Sequence, residues 1–303
     1  MKLGIFKSFQ QVIATLKFIV THPLNKGRSF EAIRDWLFWQ VGSRLVPGPV
    51  TVSFVDNSKL LIRPGMTGAT GNIYTGLCEF EPMSFLLHFL RPNDLFIDVG
   101  ANVGSYSILA AMRGARCLAF EPVLSACKIL SESALLNDFG NIIKICNLAL
   151  GNEKKRVEFT SFLDTTNHVI CDAEKQTGAI EIEMDTLDNV VRGLGPSLIK
   201  IDVEGYEGNV IKGAHQVMSE DSLLALIIEL NGLGSRYGFS DDFLHQQILG
   251  YGFKPYKYLP FSRQMIPLDS KDSSSTSIYV RHHDAVMDRI TSAPSFRVKN
   301  KTL

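Results

Sequence analysis

The chain of 303 residues predicts an α/β fold, a mainly parallel sheet covered by helices on both faces. Two observations carry that reading. From Leu95 onward, short apolar runs alternate with helical stretches. The first of these runs ends on a glycine turn and the second on an acid, at the carboxyl edge where such sheets bind ligands. Composition agrees: 45% hydrophobic and 20% charged residues suit a packed globular core. A net charge of zero supplies no global attraction to nucleic acid, and none is expected as a partner.

The elements follow in order. Ile5, Phe6, Phe9, Val12, Ile13, Leu16, Ile19 and Val20 fall at helical spacing, with Lys2, Lys7 and Lys17 among them and no acid before Glu31. Such a helix covers a core or a partner subunit, or lies through residues 1–20 on an anionic membrane surface. It is too short, and interrupted at Lys17, to span a bilayer, and it lacks a small-residue cleavage site. Cys78, Cys117, Cys127, Cys146 and Cys171 contain no CxxC pair, which points to a reducing cytoplasm and against disulfides or zinc. A second helix is expected from about Phe30 to Arg44, with Phe30, Ile33, Leu37 and Val41 on one stripe and Trp36 and Trp39 in the core. Pro47-Gly48-Pro49 ends it.

Thr51–Ile62 reads as a hairpin turning at Asp56-Asn57-Ser58. The glycine-rich stretch from Pro64 to Gly76 reads as a loop whose glycines suit a lid, with Tyr74 either sealing a pocket or packing. Pro82–Leu90 is a short helix, after which the alternation begins: strands at Leu95–Val99, Cys117–Phe120 and Ile142–Leu148. Later strands fall at Leu198–Ile201, Leu223–Leu230, Phe253–Tyr256 and Ser277–Val280. Between the two groups lies an insertion with period-two segments at Val157–Phe162 and Ile180–Met184. The expected domains are a helical and hairpin extension over 1–63, a main domain over 64–285 with its insertion at about 151–195, and a tail over 286–303.

The first strand ends Asp98-Val99-Gly100-Ala101-Asn102-Val103-Gly104, then a helix. A dinucleotide fingerprint would place glycine where Asn102 stands. Asp98 beside the turn repels a pyrophosphate and suits the amino group of a methionine moiety. Glu121, about twenty residues on at the end of the second strand, suits the two hydroxyls of a ribose.

DLFIDVGANVGSYS, AFEP, LALGN, MDTLD, IKIDVEGYE and IIELN, taken together, resemble the FkbM family of S-adenosylmethionine-dependent methyltransferases over roughly Ile73 to Val280. The resemblance implies a Rossmann-like class I methyltransferase fold, seven strands with the last reversed, and O-methylation with S-adenosylmethionine. It implies that Asp98, Gly100, Asn102 and Gly104 line the methionine end and that Glu121 holds the ribose, with Pro122 in the same set. Asn147 and Ala149 would lie by the adenine. The acceptor expected is a small molecule or a glycan-like hydroxyl.

A hydroxyl acceptor calls for a general base. Candidates cluster at the fourth strand, Lys200-Ile201-Asp202-Val203-Glu204-Gly205, where Asp202 and Glu204 could work as a pair. Asp202 could instead cap the next helix and Glu204 be solvated. His168, in Asp164-Thr165-Thr166-Asn167-His168, titrates near neutrality and sits in the insertion. Glu229 ends the fifth strand. No ligand pair has the spacing of a strong metal motif, so no metal is expected. Two other functions fit the same residues: a nicotinamide-dependent oxidoreductase, and a noncatalytic S-adenosylmethionine-binding partner tethered to a membrane.

Overall fold

The computed structural model describes residues 2–45, 48–161, 163, 166–171, 174 and 178–303, with side chains from residue 10 onward except that of Thr67. Pro47, Phe162, Asp164, Thr165 and the side chains of Ile5, Phe6 and Phe9 lie outside the described residues. Two compact units emerge, Met1–Phe80 with Ser295–Leu303 and Glu81–Pro294. The boundary thus falls at Phe80, beyond the expected 63, and the chain's last residues join the first unit.

In the first unit, α1 (Lys2–Thr21) packs along α2 (Ser29–Leu45), and β1 (Val50–Ser53) pairs with β2 (Lys59–Ile62) as an antiparallel hairpin. Asp56 takes a left-handed φ of +49° in the turn, a conformation that aspartate tolerates. The stretch expected as a glycine-rich lid is a helix, α3 (Thr67–Thr75). A Cβ on Gly71 would come 2.8 Å from Cys78 Cβ, so this glycine serves close packing and not a hinge. Tyr74 is buried with Ile19 and Ala32, and Trp36 and Trp39 pack against them. The stripe expected on α2 divides: Ile33 turns inward while Phe30, Leu37 and Val41 face solvent.

All of α4 (Phe80–Phe89) but its first residue belongs to the second unit, and it is buried from Pro82 onward. Then come β3 (Leu95–Val99), α5 (Ser105–Met112), β4 (Arg116–Phe120), α6 (Leu124–Leu136) and β5 (Ile143–Cys146). The insertion folds as β6 (Ala149–Leu150), β7 (Lys155–Phe159) and β8 (Ile180–Asp185), a small sheet of its own in the order β6-β8-β7. After α7 (Leu187–Val191) the main sheet resumes with β9 (Leu198–Ile201), α8 (Glu207–Lys212), α9 (His215–Met218) and β10 (Ala225–Glu229). The last elements are α10 (Asp241–Gly250), β11 (Lys254–Leu259), β12 (Gln264–Pro267), β13 (Thr276–Val280) and α11 (His283–Thr291). Ser240 caps α10 by accepting the Phe243 amide, and Asp241 and Asp242 favour that helix end.

The main sheet runs β12-β11-β13-β10-β9-β3-β4-β5. Strands β5, β4, β3, β9 and β10 are parallel, and β13 is antiparallel to both neighbours. The expected seven strands with a reversed last one are therefore present. β12 adds an eighth at the edge, hidden in the sequence because it is four residues long and ends on Pro267. Every residue of β3 and β9 is buried, as helices on both faces require. From β3 the chain steps out to β4 and β5, then returns to β9 on the other side. The carboxyl ends of β3 and β9 thus flank the switch point where such sheets bind ligands.

Candidate active site

The turn after β3 is shaped by three left-handed residues, Gly100 (φ +77°), Asn102 (φ +49°) and Gly104 (φ +87°). A Cβ on Gly100 would stand 1.9 Å from the Asp202 carbonyl oxygen, and one on Gly104 would stand 2.0 Å from Leu130 Cδ1. Only glycine fits either place. The amides of Gly100 and Ala101 both donate to the Phe120 carbonyl at 3.0 Å, locking the turn to the end of β4.

Glu121 completes the lock. Its Oε2 accepts the Asn102 amide at 2.8 Å and its Oε1 the Val123 amide at 2.7 Å. Burial pushes this carboxyl up to about 7, against the pull of those two amides. Asn147 Nδ2 donates to the Glu121 carbonyl at 3.0 Å and to the Pro122 carbonyl at 2.8 Å, so the segment after β5 is tied to the same turn. Ala149 is buried in β6, paired with Met184.

Asp98 stands opposite Lys200 in the parallel register of β3 and β9. It is 1% exposed, and Ser107 donates to its Oδ2 at 2.6 Å. Oδ1 has no hydrogen-bond partner among the described residues; the Lys200 ammonium lies 3.9 Å away. Burial raises the Asp98 carboxyl and Lys200 opposes the rise.

Lys200 also reaches Asp202 Oδ2 at 2.9 Å. Asp202, Glu204 and Glu229 converge so that one oxygen of each lies within 4.8 Å of the others. Three carboxylates so placed form a donor set a hard divalent cation could take. Protons answer the same crowding: burial, then the Asp202 and Glu207 charges, lift Glu204 to about 7. Glu229 rises further for the same reasons, and its Oε2 has no hydrogen-bond partner among the described residues. Glu204 has a φ of +55°, so the turn holds it in an uncommon conformation. Among the described residues no side chain, Asp202 included, caps α8; Glu207, in its first turn, instead ties back the preceding turn, its Oε1 accepting the Val203 and Gly205 amides at 3.0 and 3.1 Å. Glu207 is 3% exposed, and its carboxyl is raised by burial to about 7.

His168 is buried within the insertion, Nδ1 2.8 Å from the Thr166 carbonyl and Nε2 3.2 Å from Glu174 Oε2. Both nitrogens are thus engaged locally. A cleft of about 680 Å³ opens beside this segment, lined by Tyr206, Tyr237, Arg236, Asn209 and β7. Tyr206 and Tyr237 meet edge to face at 4.9 Å, and the Arg236 charge reaches Glu204. Glu207 had a sequence signal, an acid in the first turn of a helix beside the glycine turn. Arg236 and Tyr237 had none, because only the fold brings residues after β10 against the insertion.

The family model for the methyltransferase FkbM domain matches residues 98–255, from the Asp98 turn through the acids of β9 and β10 into β11. The chain belongs to the FkbM methyltransferase family. A methyltransferase from Sordaria araneosa, sdnD, is 25% identical to this FkbM-family chain over 162 residues, 42% of the chain and 62% of the relative. A ribosomal protein L11 methyltransferase from Syntrophomonas wolfei is 32% identical over 125 residues, 40% of the chain and 38% of the relative. The FkbM-family chain thus spans less than two thirds of either relative's length. The crystal structure of methyltransferase FkbM from Methylobacillus flagellatus aligns over 82% of the chain and 60% of its own length, at 17% identity and a TM-score of 0.42. Among the described residues, no helix is long and apolar enough to cross a membrane.

Proposed function

We propose that this FkbM-family methyltransferase moves a methyl group from S-adenosylmethionine to a hydroxyl of a small or glycan-like acceptor. The observation that carries the reading is the bond from the Asn102 amide to Glu121. It joins the glycine turn of β3 to the acid of β4 in one rigid cradle at the switch point. The residues fit the cofactor. The bare Cα of Gly100 leaves no side chain between the turn and a ligand, and Asp98 keeps a buried oxygen without a hydrogen-bond partner near the methionine end. Each Glu121 oxygen has spent one lone pair on an amide and retains another for a ribose hydroxyl.

S-adenosylmethionine supplies an electrophilic methyl on a sulfonium, a good leaving group. The chain's own task is to hold a hydroxyl in line with that methyl and to take its proton. Glu204 suits the second task, since a carboxyl titrating near 7 is half ionised at neutral pH. Lys200 Nζ donates to Asp202 Oδ2, and burial beside Asp202 and Glu204 raises the Glu229 carboxyl. An ionised Glu204 would take the proton the acceptor hydroxyl releases on methylation, so the positive charge lost from the donor would be matched by the negative charge lost from the carboxylate. The cleft beside Tyr206 is the acceptor entrance consistent with this arrangement.

Calorimetric titration with S-adenosylmethionine and S-adenosylhomocysteine tests the reading. Binding by the wild type that Glu121→Ala weakens by about 1–3 kcal/mol is the expected result. Binding of NADH, and of neither sulfur compound, would replace it with the oxidoreductase.

A further inference from the structure

We infer that the outer face of α2 is a docking surface for an anionic lipid membrane. The expected core stripe of this helix points the wrong way for a core. Phe30, Leu37, Phe38, Val41 and Leu45 are 80%, 49%, 69%, 58% and 74% exposed. At 3.6 residues per turn they fall, with Arg34, within about 100° of arc, the width of the stripe by which an amphipathic helix meets an apolar phase. The opposite face is already used, since Ala32, Ile33, Trp36 and Trp39 pack on Ile19 and Tyr74. α2 therefore has two apolar faces, one spent and one bare, and a bare patch of large side chains marks an interaction site.

Charge selects the occupant. Residues 1–45 carry seven basic side chains against two acidic ones, in a chain whose total charge is zero. Of the two acids, Asp35 sits between Arg28 at 3.2 Å and Arg34 at 3.4 Å, two cations to one carboxylate. Lys17, Lys26, Arg34 and Arg44 are exposed, and Arg34 lies over the Phe38 ring at 6.0 Å, so its stem runs along the stripe. A neutral protein patch would gain nothing from this excess, whereas an anionic headgroup layer attracts each basic residue near its surface. α1 packs along α2 and adds exposed Ile13 and Val20. Helices of this make-up lie in the interface plane and do not span it. The sequence suggested α1 for such a surface; of its described apolar residues Ile19 is buried while Val12, Ile13 and Val20 are exposed, and α2 supplies the larger bare stripe.

The test is flotation of the full chain with two kinds of vesicle, phosphatidylcholine alone and phosphatidylcholine with one third phosphatidylglycerol. Recovery with the anionic vesicles should exceed that with neutral ones by about tenfold or more and fall as salt is raised. Leu37→Ser/Phe38→Ser/Leu45→Ser and Arg34→Glu/Arg44→Glu should each abolish it. All five side chains are exposed, so an unchanged thermal midpoint will show that the variants fold. Equal recovery with both vesicles, no recovery with either, or flotation indifferent to both variants overturns the proposal. A dimer in sedimentation velocity that the serine variant dissociates, without vesicle binding, would assign the stripe to a second copy of the chain and equally overturn it.

Discussion

Asn102 and Glu121 are joined by a 2.8 Å hydrogen bond between the turn after β3 and the end of β4. The residue that replaces a dinucleotide-type glycine thereby offers its backbone amide to the acid meant for the ribose. Glu121 positions the turn through its two amide bonds, and on the proposed reading it would also hold the ribose. Glu121→Gln keeps one acceptor oxygen and loses the charge, so it should lie between wild type and Glu121→Ala in cofactor affinity. A calorimetric ranking with Gln as weak as Ala would assign the effect to charge alone.

Gly100 tests the cradle from the steric side. Alanine there combines a left-handed φ with a Cβ driven into the Asp202 carbonyl, and the two penalties together cost about 3 kcal/mol. Urea unfolding of Gly100→Ala should show that loss. A change below about 1 kcal/mol would mean the turn relaxes away from β9.

Lys200 faces two carboxylates, Asp98 and Asp202, from a side chain only 6% exposed. Lys200→Met fills the space and removes the charge. Leaving the buried Asp98 carboxylate without its ammonium costs about 3 kcal/mol or more at neutral pH. The loss should shrink in acid as Asp98, already raised by burial, takes up a proton, and a loss independent of pH would show that packing and not charge is at stake.

Glu207 gives a signed pH dependence. Its carboxyl rises from 4.5 to about 7 on folding, so the folded state holds the proton more tightly. Its stabilisation is complete below the unfolded value and is lost as pH rises through 7. Glu207→Gln keeps an Oε1 for the Val203 and Gly205 amides and has no proton to lose. Relative to wild type, the variant should gain up to about 3 kcal/mol between pH 4.5 and 7.5. Urea midpoints measured across that range check it, and a flat difference would deny Glu207 the buried proton.

Turnover should rise through pH 7 as Glu204 ionises, then level off. Glu204→Gln is expected to lower kcat by about 10²–10⁴ and remove that rise, with cofactor affinity retained. Asp202→Asn should also lower turnover more than cofactor binding. His168→Ala should leave the pH profile in place, because both its nitrogens are held inside the insertion. A profile that flattens in His168→Ala and persists in Glu204→Gln would exchange the two roles.

The sequence by itself determined the sheet and its ligand edge. Strand–helix alternation from Leu95, the glycines at 100 and 104 and the acid at 121 are local patterns, and each reports a local backbone requirement that the structure meets. The four-residue strand ending on Pro267 and the helix at Thr67–Thr75 escaped, because short elements rich in proline or glycine are decided by the neighbours they pair with. Tertiary structure alone decided which acids meet. Asp202 and Glu204 come from the turn after β9 and Glu229 from the end of β10, and their burial and mutual repulsion raise Glu204 and Glu229 against the pull of Lys200. It alone decided, too, which stripe of α2 is bare. Helical periodicity identifies an apolar face, but whether that face is covered depends on what else is packed beside it.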